Sequence, residues 1–259
     1  MWSNLGAILT QTMSRPPRLL TATGLGIVAA LALSSCGGGP PALTEIATEA
    51  RQSMEDATSF TYTVTDPDGV HGDELELGEF SSHTDQVNYN ILLEMPQADV
   101  EVRAVDETSA FLRLNLKDES LSEILGNVDT DGQWIEVPEA EQEDLSEYTQ
   151  DFDSIIETTF SLIEGLSEDE LDTIEVEETE LDGQAVYKYV VPATADGETA
   201  HYTGAETVEF YFLQETSDLI QVDASTGDST ATHGFSEMDG VEDFEAPPED
   251  EIADLEWSF

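Results

Sequence analysis

The stretch Val87–Leu116, VNYNILLEMPQADVEVRAVDETSAFLRLNL, contains three successive runs in which apolar residues recur at every second position. Val87, Tyr89, Ile91, Leu93 and Met95 form the first; Ala98, Val100, Val102 and Ala104 the second; Ala110, Leu112, Leu114 and Leu116 the third. A period of two sends successive side chains to opposite faces of a strand, so each run predicts a strand with one buried and one wet face. Three such strands in series predict an antiparallel meander. If Val102 pairs with Leu112, Glu101 falls opposite Arg113 on the wet face as a favourable cross-strand pair.

The same pattern extends outward in both directions. Phe60, Tyr62 and Val64 alternate with threonines, and Leu75 and Leu77 with glutamates. TDGQWIEVP (130–138) reads as a turn followed by a strand carrying Trp134. Further strands are predicted around Ile174 and Val176, Tyr187 to Val191, Val208 to Phe212, Leu219 to Asp223 and Ser229 to Phe235. Asp-Gly pairs beginning at Asp68, Asp131, Asp182, Asp196 and Asp239 punctuate the chain as turns. Two segments carry a helical period instead. Leu43, Ile46, Ala47, Ala50, Met54 and Ala57 mark one stripe; Tyr148, Phe152, Ile155, Ile156, Phe160 and Ile163 mark another, with Ser146 as its N-cap. A short helix is also expected over Ser120–Gly126.

A broad sheet with one apolar face needs a cover, and two striped helices need something to cover. The predicted architecture is α+β: a curled antiparallel β-sheet, or half-barrel, with helices packed on the concave face. No linker is long enough to divide the chain, and the acidic segment after Ala246, with two prolines, predicts little regular structure.

The one cysteine, Cys36, lies in LALSSCGGGPPALTEI (31–46). It has no intramolecular disulfide partner. Arg15 and Arg18 precede the apolar run Leu19–Leu33, which is too short for the roughly 20 residues of a membrane span and has the length of a signal-peptide core. Leu33-Ser34-Ser35-Cys36 resembles the lipobox of bacterial and archaeal lipoproteins. That resemblance implies cleavage before Cys36, a diacylglyceryl group on its sulfur, and location on the extracytoplasmic face of the membrane. Residues 1–35 are then a lipoprotein signal, with Met13 as the native start, and residues 36–42 a Gly/Pro tether.

All 58 acidic residues follow Cys36, against five basic ones, so the mature chain carries a net charge of −53 with histidines neutral. This argues against nucleic-acid binding, which requires a basic face. Because 39% of the residues are hydrophobic and patterned, the expectation is a folded domain in an acidic shell rather than a disordered chain. Such a shell suits high external salt, where repulsion is screened, and points to a halophilic or salt-tolerant source.

Catalytic and metal motifs are weak. Asn127–Gly132 matches the opening of a calcium loop, but Pro138 stands where the bidentate glutamate belongs. His71, His83, His201 and His233 are scattered, and no nucleophile elbow, phosphate loop or His-Glu-x-x-His occurs. No enzyme, no cofactor and no metal site is expected.

The segments LTEIATEARQSMEDATSFTYTV (43–64) and DLIQVDASTGDSTATHGFSEMDGVEDFEAPPEDEI (218–252), with DGQWIEV (131–137) between them, resemble actinobacterial cell-wall lipoproteins of the LppX/LprG type and, more loosely, LolA-like carriers. The resemblance implies a domain over residues 43–248, an acidic tail over 249–259, and a cavity for acyl chains inside a half-barrel. The inward-facing candidates for lining it are Tyr89, Ile91, Leu93, Val100, Val102, Leu112, Leu114, Tyr187, Tyr189, Phe210 and Phe212. The expected function is a monomeric, membrane-anchored lipoprotein that binds or ferries a lipid-like ligand. The alternative is an envelope interaction or sensor lipoprotein of the same fold with a filled core.

Overall fold

In a computed structural model, which describes residues 39–70, 75–83, 88–106, 108–117, 132–138, 142, 152–193, 202 and 205–253, the chain begins with helix α1 (Leu43–Asp56). Strands β1 (Ser59–Asp66), β2 (Leu75–His83), β3 (Tyr89–Glu94), β4 (Ala98–Asp106), β5 (Ser109–Leu116) and β6 (Trp134–Val137) follow. Helices α2 (Phe152–Glu164) and α3 (Glu168–Leu171) lead to β7 (Val176–Leu181), β8 (Gln184–Pro192), β9 (Thr207–Leu213), β10 (Leu219–Thr226) and β11 (Ser229–Ser236). Ser146, Tyr148, Val87 and the helix expected over Ser120–Gly126 lie outside the described residues.

The strands form one 11-stranded sheet in the order β6-β5-β4-β3-β2-β1-β11-β10-β9-β8-β7. Every neighbouring pair is antiparallel. Two meanders therefore meet in the middle, where β1 pairs with β11. The chain leaves the sheet at the β6 edge and returns at the β7 edge, and the connection between carries α2 and α3. The sheet stays open, as a curled half-barrel with helices on one face.

Register follows the alternation read from the sequence. Val102 pairs with Leu112, and Glu101 with Arg113. The β7–β8 hairpin turns on Asp182-Gly183, both with positive φ (50° and 83°), the two-residue turn that matches the twist of antiparallel strands. Two details differ from expectation. Leu75 and Leu77 do not share a face: a bulge opposite Val64–Asp66 shifts β2, so Leu75 lies beside Leu93 on the concave side. Met95 lies beyond β3, because Pro96 cannot donate to a ladder and the chain turns back with Met95 N–H donating to Ala98 C=O at 3.0 Å.

The helices fill the concavity. Ile46, Ala47, Ala50 and Met54 of α1 are buried, as are Ile155, Ile156, Phe160 and Ile163 of α2. They join Phe60, Tyr62, Val191, Val208, Phe210, Phe212 and Val222 in one core. Arg51 of α1 pairs with Glu55 and reaches across to Glu164 of α2, tying the two helices together at their wet rim.

After β11 the chain runs across the convex side. Asp239 N–H donates to Ser59 C=O (2.9 Å), Asn88 exchanges side-chain bonds with the Phe244 backbone (2.8 and 3.2 Å), and Ala253 N–H donates to Trp134 C=O (2.7 Å). Ile252 forms a parallel bridge with Trp134. The acidic segment carries one 3-10 turn, Glu249–Glu251. We refer to Glu237–Ala253 as the strap.

Candidate functional site

The concave face is built as rows of side chains, one residue per strand, because inward positions of neighbouring strands lie side by side. One row is Ala110, Ala104, Tyr89, Ser82 and Phe60. All of these are buried. The next is Leu112, Val102, Ile91, Phe80 and Tyr62, in which Val102 and Ile91 are partly exposed. The third is Leu114, Val100, Leu93, Gly78, Val64 and His233. In this row Leu114, Val100, Leu93 and Val64 are all partly exposed. Burial thus decreases along the strands of the β1–β5 half, and the third row is an apolar trough. Gly78 places no side chain in it, and the Leu75 side chain lies over that position.

The β8–β10 half differs. Tyr189 is 2% exposed and Phe210 and Phe212 are fully buried. Tyr189 meets Phe212 edge-on at 5.8 Å, and Phe210 stacks on Phe212 at 6.4 Å. The Tyr189 hydroxyl donates to Pro41 C=O (2.7 Å), and burial pushes its pKa up to about 12. Tyr187, nearer the β7–β8 turn, is partly exposed. The eleven residues singled out in the sequence therefore share one face but separate into two groups. Tyr189, Phe210 and Phe212 are core, with Tyr89 and Leu112 also buried; Ile91, Leu93, Val100, Val102, Leu114 and Tyr187 retain exposed surface.

The trough ends on a polar cluster that the sequence does not announce. His233 is 3% exposed, and its Nδ1 lies 2.7 Å from the Tyr62 hydroxyl. Tyr202 meets His233 edge-on at 5.6 Å and Phe210 at 6.3 Å. Burial holds both phenols well above the ordinary tyrosine pKa; Tyr202 is eased back only by a hydrogen bond with Thr159. Val64 and His233 become neighbours through the β1–β11 pairing, which joins residues far apart in the chain. The signal available in the sequence was the apolar alternation Ala231, His233, Phe235, in which a histidine occupies an inward position.

On the convex side, Trp134 is 2% exposed and has two guanidinium groups against its ring, Arg103 at 4.7 Å and Arg113 at 4.6 Å from its centroid. Both arginines also bind Glu101, itself 8% exposed. The cross-strand pair Glu101–Arg113 is thus part of a larger stack, which the strap covers through Glu245 C=O and Ile252. Among the described residues no group of His, Cys, Asp and Glu is arranged to hold a metal ion. Of the calcium-like loop only Gly132 is among the described residues, and Cys36 lies outside them.

Compared with protein-family models and with curated proteins, the chain finds no match. Solved structures do match. LprF from Mycobacterium bovis superposes with a TM-score of 0.50 at 11% identity, over 78% of this chain and 95% of that one. The Mycobacterium tuberculosis lipoprotein LppX follows with a TM-score of 0.41 at 14% identity, over 80% of this chain and all of that one. A LolA superfamily protein from Nitrosomonas europaea aligns with a TM-score of 0.25 at 9% identity, over 82% and 97%. The chain has the fold of LprF, a curled open sheet with helices on one face, as the resemblance read in the sequence implied.

Proposed function

We propose that the protein is an extracytoplasmic lipoprotein, anchored through Cys36, that carries a hydrophobic ligand on the concave face of its sheet. The observation that supports this reading is the trough Leu114, Val100, Leu93 and Val64, apolar side chains that keep exposed surface on a face otherwise closed by helices. Burying alkyl groups there is favourable by ~0.8 kcal/mol per CH₂ removed from water. Neighbouring strands are ~4.8 Å apart, so the four steps from β5 to β1 span ~19 Å, a length suited to an extended acyl chain. An interaction module with a filled core would also leave an apolar patch exposed, so ligand binding is what separates the two readings.

Native mass spectrometry of the gently extracted protein tests the reading directly. A co-purifying lipid-sized mass is expected. Its absence, together with no binding of an uncharged pyrene-labelled acyl probe, would leave the interaction module. The anchor has its own test. The sequence offers one thiol for acylation, and stable anchoring takes two acyl chains or an equivalent second signal, which a diacylglyceryl group supplies. Cys36→Ala is expected to move the protein from the membrane to the soluble fraction. Retention on membranes after carbonate washing would contradict the anchor.

A further inference from the structure

The cations of the domain, taken with the trough, narrow the class of ligand. Beyond residue 38, lysine and arginine occur only as Arg51, Arg103, Arg113, Lys117 and Lys188. Every one is engaged by carboxylates. Arg103 and Arg113 hold Glu101. Lys117 reaches Glu76 (3.2 Å) and Asp99 (2.8 Å). Lys188 lies between Glu177 (2.9 Å) and Glu209 (3.7 Å). Arg51 joins Glu55 and Glu164.

Alternation also turns the strand-borne cations away from the trough. Arg103 is flanked by inward Val102 and Ala104, Arg113 by Leu112 and Leu114, and Lys188 by Tyr187 and Tyr189. Arg51 sits at the helix rim. The ammonium and guanidinium groups that commonly receive phosphate or carboxylate are thus already bonded to carboxylates, Arg103 and Arg113 to the same one, and those borne on strands are turned away from the trough. The polar groups at the inner end of the trough are the Tyr62 and Tyr202 hydroxyls and the His233 ring. The chain carries 58 acidic residues against seven basic ones, and the summed field of that excess opposes an incoming anion.

We infer that the concave face selects amphiphiles by charge, accepting an acyl lipid with an uncharged head group and rejecting the same lipid with an anionic one. This rests on the hydrophobic-carrier reading above and adds the head-group class to it. Discrimination comes from the lack of a free cation to compensate the anion and from the acidic field, so it weakens with salt while apolar burial does not.

The test compares pyrene-labelled diacylglycerol with pyrene-labelled phosphatidylglycerol of equal chain length, titrated into the purified protein. Measurements are made at pH 8, where an ordinary imidazole of pKa ≈ 6.5 is neutral. Salt is set at about 0.1 M and about 1 M, where the Debye length is roughly 10 and 3 Å, with the fold checked by circular dichroism at both. Diacylglycerol is expected to bind at both, with phosphatidylglycerol at least about tenfold weaker at the lower salt and the gap narrowing at the higher. Leu116→Lys places a cation at the partly exposed inward end of β5. It is expected to narrow the gap at the lower salt without weakening diacylglycerol. Equal binding of the two lipids at the lower salt, or tighter phosphatidylglycerol, would overturn the inference and leave the carrier reading intact. Binding of neither lipid would remove the carrier reading, and the inference with it.

Discussion

At the scale of single residues, the most informative contrast is between Leu112 and Leu114. They are two positions apart on one strand and share a face, yet Leu112 is 7% exposed while Leu114 keeps more of its surface. Tryptophan at 112 must force its ring into a packed row, at a cost of about 1–3 kcal/mol. At 114 the ring has room along the trough. Leu112→Trp is therefore expected to lower the melting temperature clearly, and Leu114→Trp to leave it nearly unchanged while abolishing binding of an uncharged acyl probe. Equal destabilisation by both, with no binding by the unaltered protein, would mean that the trough is ordinary core. A second residue-scale expectation concerns the bond between the Tyr62 hydroxyl and His233 Nδ1. Tyr62→Phe keeps the ring and removes the hydroxyl, and a buried bond of this kind contributes about 0.5–1.5 kcal/mol net. Urea denaturation is expected to show a loss of that order with an unchanged slope; no loss would mean that His233 finds an equivalent partner.

At the scale of elements, the strap is the part with the clearest consequence. It places backbone bonds on Ser59, Asn88 and Trp134, so it spans the convex side from the start of β1 to the β6 edge. It starts from a tight turn in which Glu237 (φ 53°) and Asp239 (φ 59°) adopt left-handed backbone, Asp239 being held there by the Thr58 N–H and hydroxyl, both at 2.7 Å. Non-glycine residues in that region cost roughly 1–3 kcal/mol each and persist only when their surroundings hold them. Ending the chain at Val241 removes the bonds to Asn88, Arg103 and Trp134. It also removes Trp257, so Trp134 becomes the one tryptophan after residue 36. The shortened protein is expected to melt at lower temperature, and its tryptophan emission to lie to the red of that of full-length Trp257→Phe. Identical melting and emission would show that Trp134 is shielded by Arg103 and Arg113 alone.

The strap also marks where the sequence stops being legible. Strand faces could be read because a half-buried strand alternates, as the runs around Val102 and Leu112 do, and α1 because Ile46, Ala50 and Met54 recur at helical spacing. The strap has no period: its contacts are mostly backbone bonds, which leave no trace in side-chain chemistry. The pairing of β1 with β11 is opaque for another reason. It joins Val64 to His233 across most of the chain, and alternation fixes which face a residue takes but not which strand lies beside it. The trough was therefore legible as a set of inward residues, and its division into filled and open halves was not. That division depends on which strands α1 and α2 cover.

For the molecule as a whole, charge governs conditions. From Cys36 onward the chain carries −53, and its five cations are all bonded to carboxylates, which leaves a large excess of negative charge unpaired with any cation. At about 0.01 M salt the Debye length is roughly 30 Å and repulsion acts across the domain; near 1 M it is about 3 Å and only adjacent groups interact. Folding concentrates these charges, so the melting temperature is expected to rise steeply with NaCl or KCl. Protonation acts in the same direction for a carboxyl that the fold disfavours in its charged form. Glu79 is one: burial raises its pKa above 4.5, with Glu237 and Glu101 adding repulsion. A raised acid pKa means that the folded state binds the proton first, so stability falls as pH rises from 4.5 through the folded pKa and is recovered on acidification through the same window. Asp239 works the other way, since the bonds from Thr58 hold its pKa below 3.8 and its contribution is lost only as pH falls through that lower value. Mild acidification from neutrality at low salt is therefore expected to raise the melting temperature before strong acid lowers it. Molar salt should flatten the first rise, because screening has already removed the repulsion that protonation relieves. The measurement is a grid of thermal melts over pH and salt. A melting temperature independent of salt at pH 7 would show that the acidic shell is no adaptation of stability, and would leave it to act on solubility or on ligand charge.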